Sequence, residues 1–141
     1  MPSGRVHSAV TLTTAVLLSC YDPIMAAGAA SGVLLSPDLD CDLGYIGFAK
    51  LRSIRFIGGP AAFVWEWWWK PYSIFVPHRS PTSHAPIIST IIRICYLAIP
   101  FFVANIFIDM TIPSWLGRAI IGLIIVDCLH ILLDAFMKGQ K

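Results

Sequence analysis

The sequence predicts an all-α protein, a small polytopic membrane helix bundle of about four membrane-embedded helices with an interfacial aromatic segment. Three observations predict it. Hydrophobic residues make up 57% of the 141 residues and charged residues only 13%, and the mean hydropathy is +0.74; a soluble domain of this size would expose a large apolar surface. Two apolar stretches near the C-terminus are long enough to cross a bilayer. Apart from Arg93 and Arg118, the basic residues lie between and beyond the apolar segments rather than within them. The same composition excludes a disordered tail, and a length of 141 residues suits a single domain over 1–141.

The elements follow in chain order. Residues 9–20 and 23–36 are apolar but shorter than a full span, and Tyr21-Asp22-Pro23 separates them. They read as two short helices, crossing with tilt or dipping in as a re-entrant pair. Residues 37–84 form a polar and interfacial segment. Its run Val64-Trp65-Glu66-Trp67-Trp68-Trp69-Lys70-Pro71-Tyr72 mixes aromatic and charged residues in the manner of a headgroup anchor. Residues 85–108 contain one charge, Arg93, and residues 112–137 follow after Asp109, with Pro113 in the opening turn. Each is about 35 Å long as a helix, and the two read as an antiparallel transmembrane hairpin. Arg93 lies inside the first of them, where it snorkels or pairs with a buried acid.

Arg5, Lys50, Arg52, Arg55, Lys70, Arg79, Lys138 and Lys141 fall on one side if each half crosses an even number of times. That side is expected to be cytoplasmic, with both termini. Lys+Arg exceed Asp+Glu by ten to eight, and no basic cluster interleaved with aromatics tracks a phosphate backbone, so no nucleic acid partner is expected. The cysteines, Cys20, Cys41, Cys95 and Cys128, form no CxxC, which argues against a thiolate zinc cluster or a redox pair.

This topology places all four histidines near one membrane face: His7 before the first helix, His78 and His84 before the third, and His130 in the last. Asp38 and Asp40 reach the same face, while Asp127, His130 and Asp134 occupy i, i+3 and i+7 of one helix. Three ionisable groups inside a span are costly unless paired or coordinating. Imidazole and carboxylate donors without thiolate suit Zn or Mn first and Fe(II) after them, as one divalent ion or two roughly 4 Å apart.

The pattern Gly4-Arg5-Val6-His7, then Ser36-Pro37-Asp38-Leu39-Asp40, then Pro77-His78-Arg79-Ser80 with Ser83-His84, then His130-Ile131-Leu132-Leu133-Asp134 resembles the uncharacterised metal-binding membrane proteins frequent in photosynthetic bacteria. More distantly it is similar to the LexA-regulated membrane-bound metal-dependent hydrolases. The resemblance implies a metal site drawn from His7, Asp38, Asp40, His78, His84, His130 and Asp134. It implies an integral membrane location, in a bacterial inner membrane or a thylakoid, with the site facing the cytoplasm. Two functions are expected. The first is a metal-dependent hydrolase of lipid-like esters or phosphoesters, with Asp38 or Asp40 as general base and Arg79 stabilising negative charge. The alternative is a non-catalytic accessory subunit of a larger membrane complex, with a structural metal and with Ala-Gly stretches such as Ala26 to Gly32 packing helix on helix. A metal or proton carrier is a third, weaker expectation. Membrane lipids are the expected partners in either of the first two cases.

Overall fold

A computed structural model describes residues 4–36, 51–76, 85 and 87–138. Among these the protein is all-helical, with five helices and no strand: α1 (Gly4–Ser19), α2 (Pro23–Ser31), α3 (Gly58–Phe75), α4 (Ile88–Asn105) and α5 (Leu116–Lys138). Tyr21 and Asp22 close the turn between α1 and α2 by donating their backbone N–H groups to the Leu18 carbonyl. Asp22 then caps α2, its Oδ1 accepting from the N–H groups of Ile24 at 2.7 Å and Met25 at 3.1 Å, with Pro23 opening the helix. The Met25 N–H, joined by that of Ile24 and by the Arg118 guanidinium, holds the Asp22 carboxyl below the usual carboxylate range. Arg118 of α5 reaches Asp22 Oδ2 at 3.1 Å, which fixes the start of α5 beside the α1–α2 turn.

α2 packs on both α1 and α5, and α1 also touches α5. The close approach is made by glycine. A Cβ on Gly28 would stand 1.9 Å from the Ala119 carbonyl oxygen, and one on Gly122 would stand 1.9 Å from that of Met25. Small residues at both contacts let the two backbones approach and pack by van der Waals contact. Gly122→Leu is therefore expected to separate α2 from α5 and to lower stability by about 3 kcal/mol or more; thermal unfolding in detergent reads the loss, and an unchanged midpoint would count against this contact. Around it Ala15, Ala29, Leu123 and Val126 form one buried cluster.

A second buried cluster, Trp69 and Tyr72 of α3 with Val76 at its C-cap, packs against Ile92, Tyr96 and Leu97 of α4 and against Leu35. The aromatic run thus belongs to an 18-residue helix. Its Trp65, Trp69 and Tyr72 lie at i, i+4 and i+7, the spacing of one helical face. Trp69 is 1% exposed, whereas Trp67 is 71% exposed, so the run divides between core and exterior. The Tyr96 hydroxyl donates to the Trp68 carbonyl, tying α3 to α4.

Among the described residues two helices, not four, are long and apolar enough to cross a membrane: Ile88–Asn105 and Leu116–Met137. The expectation of about four membrane helices finds no support here, and length explains it. The 16 residues of α1 and 9 of α2 span about 24 Å and 14 Å, against a hydrocarbon core of about 30 Å.

Candidate metal centre

Three of the predicted site residues meet. His7 sits in the first turn of α1, and His130 and Asp134 sit one turn apart on α5, where i and i+4 side chains share a face. His7 Nε2 lies 3.2 Å from Asp134 Oδ1, and His130 Nε2 lies 3.8 Å from Asp134 Oδ2. The two imidazoles stack with centroids 3.8 Å apart and planes inclined by 16°. One donor atom from each of the three side chains falls within 4.8 Å of the others, and all three residues are buried.

This donor set fits a divalent cation. Tetrahedral coordination at 2.0–2.1 Å separates ligand atoms by about 3.4 Å, a value that the 3.2 and 3.8 Å separations bracket. Two imidazolium rings stacked this closely would repel, whereas one cation shared by two neutral rings and the carboxylate suits all three groups together. Two imidazoles and one carboxylate also constitute a set that leaves coordination positions open, as in catalytic zinc sites and the facial triads of Fe(II).

Asp127, three residues before His130, has a different partner. It receives the Arg93 guanidinium of α4 and, at 2.5 Å, the Thr90 hydroxyl. Arg93 and Asp127 are each 1% exposed. The predicted alternative of a buried acid is therefore what Arg93 takes. Arg93 also donates to the Leu35 and Ser89 carbonyls, so one side chain joins α4, α5 and the turn that follows α2. Thr90 escaped the sequence reading, although its i, i+3 spacing from Arg93 places it on the same helical face.

Asp38, Asp40, His78, Arg79 and His84 lie outside the described residues. Of the described residues near them in sequence, Leu35 accepts from Arg93 and Val76 packs in the cluster that Leu35 joins.

The fold and the cluster together define a small helical protein with a buried His-His-Asp site of metal-binding type. The chain belongs to the family described as Uncharacterized metal-binding protein (DUF2227), which matches residues 2–119. His7 lies inside that stretch, and His130 and Asp134 lie beyond it. No curated protein and no solved structure matches the chain.

Proposed function

We propose that this chain is an integral membrane protein that binds a divalent metal between α1 and α5 and hydrolyses a membrane-lipid ester or phosphoester at headgroup depth. The observation that carries the reading is the convergence of His7, His130 and Asp134, from opposite ends of the chain, into one buried set of ligating atoms. Membrane embedding is supported by where the apolar surface lies. Only 17% of the α4 span and 33% of the α5 span are buried, while the central helix of a soluble protein hides most of its residues. The exterior also carries Phe63, Ile74, Phe75, Phe102 and Phe107. The basic residues Arg5, Lys138 and Lys141 flank the helix ends that hold the site, which favours a cytoplasmic orientation.

A zinc or manganese ion held there would supply a water of pKa near 7 and polarise the scissile group. The protein's own residues do the rest. His7, His130 and Asp134 would hold the ion, and His78 and His84 are the further candidate ligands. Asp38 or Asp40 would serve as general base toward the attacking water. Arg79 would stabilise the negative charge that develops on the substrate. The second reading, a structural metal in an accessory subunit, is favoured by the site's low exposure, 4% at His130 and 8% at His7.

One assay separates them. Detergent-purified, metal-replete protein is expected to hydrolyse phospholipid or phosphomonoester substrates in mixed micelles, and a chelator is expected to abolish the turnover. Asp40→Asn should lower kcat about 100-fold or more while keeping the metal. Metal-replete protein with no chelator-sensitive turnover on either substrate class, migrating within a larger membrane complex, would place the structural reading first.

A further inference from the structure

The Arg93 guanidinium is engaged on every side inside the bundle. Its Nε donates to the Ser89 carbonyl at 3.3 Å, its Nη1 to the Leu35 carbonyl and its Nη2 to Asp127 Oδ2. Asp127 Oδ2 also accepts from the Thr90 hydroxyl at 2.5 Å, so two donors of α4 hold one carboxylate of α5. A pair in which each member is 1% exposed is a poor source of stability, because desolvation offsets the attraction and apolar residues of similar volume often serve as well. What apolar packing does not supply is direction. We infer that Arg93 and Asp127 are positioning residues of the metal centre: the pair sets the rotation of α5 about its own axis, and that rotation aims His130 and Asp134 at His7.

Helical geometry links the pair to the site. At about 3.6 residues per turn Asp134 points within about 20° of Asp127, and His130 lies about 60° round the helix from it, so whatever fixes Asp127 fixes all three directions. Side-chain tips ride about 5–6 Å from the helix axis, and turning α5 by about 20° would swing each donor by about 2 Å. Metal–ligand distances tolerate about 0.2 Å. The neighbouring contacts of α5 do not set the angle so finely: Leu123 and Val126 meet Ala15 and Ala29 in an apolar cluster, and apolar burial is non-directional. The Arg93 fork, fixed by its bonds to Leu35 and Ser89, offers Asp127 one place to dock. The inference rests on the metal centre proposed above and adds two residues that hold its ligands rather than the ion.

The test is zinc titration against a competing chelator, run beside thermal unfolding in detergent, on the wild type and on the double variant Arg93→Met with Asp127→Leu. The double variant is expected to recover most of the wild-type stability. Its zinc affinity is expected to stay at least about 10-fold below wild type, within the 10–100-fold typical of residues that orient a ligand, and X-ray absorption of its bound zinc should show weaker imidazole scattering. A merely structural pair would restore affinity together with the fold. Arg93→Lys keeps the charge but gives up the planar fork; the same loss of affinity is expected, and this variant decides the matter if the double variant does not fold. Arg118→Met, which breaks the pair with Asp22 at the other end of α5, should bind zinc as the wild type does. Wild-type affinity in either folded Arg93 variant, or an equal loss in Arg118→Met, would overturn the inference and leave the metal centre standing. Wild-type protein that takes up no zinc would overturn the metal centre and this inference with it.

Discussion

Asp127→Ala is expected to destabilise the protein by about 3–5 kcal/mol, because it leaves the Arg93 guanidinium buried without a counter-charge. Arg93 is 1% exposed and has no route to water that keeps its bonds to Leu35 and Ser89. Thr90 would lose its acceptor at the same time, since its hydroxyl donates to the same carboxylate. Arg93→Met alone should cost a similar amount by stranding the carboxylate. The double variant Arg93→Met with Asp127→Leu should recover most of the loss, since replacing both members of a buried pair by apolar groups of similar size is often neutral. Denaturant or thermal unfolding in detergent measures all three. A loss under about 1 kcal/mol in the single variants would show a solvated pair and would remove the link from α4 to α5 and the turn after α2.

His130→Ala, His7→Ala and Asp134→Ala are each expected to weaken metal binding by at least about 100-fold, more than the 10–100-fold typical of losing an outer-shell partner. Because the three residues act on one ion, combining two of the substitutions should add little to either alone. Glu66→Gln and Asp109→Asn, acids away from the cluster, serve as controls and should retain the metal. Metal titration monitored by a competing chelator reads the affinities. Equal affinity in wild type and His130→Ala would mean that the stacked imidazoles and Asp134 form only an ion-paired contact between α1 and α5.

How far the sequence revealed this arrangement depends on the kind of signal each residue gives. The two long helices were legible because an uninterrupted apolar run has few other uses. The Asp127, His130 and Asp134 stripe was legible because helical spacing is fixed, so three ionisable groups at i, i+3 and i+7 must share a face. The division of labour on that face was not. Whether Asp127 serves the ion or Arg93 depends on how α4 is placed against α5, and that placement comes from packing that no local pattern encodes. The same limit hid the α3 helix. Glu66, Lys70 and Pro71 interrupt its apolar run, and only the burial of Trp69 and Tyr72 against Tyr96 distinguishes a packed face from a headgroup anchor. The expected N-terminal pair over 9–20 and 23–36 folds as α1 and α2, which are apolar but, at 16 and 9 residues, too short to span. Glycine carried a signal in the opposite sense: the stretch from Ala26 to Gly32, read as a surface for close helix contact, is spent inside the chain on α5.

X-ray absorption at the metal edge of protein purified without chelator tests the central claim most directly. The account predicts about one divalent ion or more per chain with a shell of nitrogen and oxygen at about 2.0–2.2 Å, imidazole scattering beyond it, and no sulfur. Imidazole scattering should diminish in His7→Ala and in His130→Ala. A shell containing sulfur at about 2.3 Å, or well under one ion per chain in the wild type, would contradict a metal centre built from His7, His130 and Asp134.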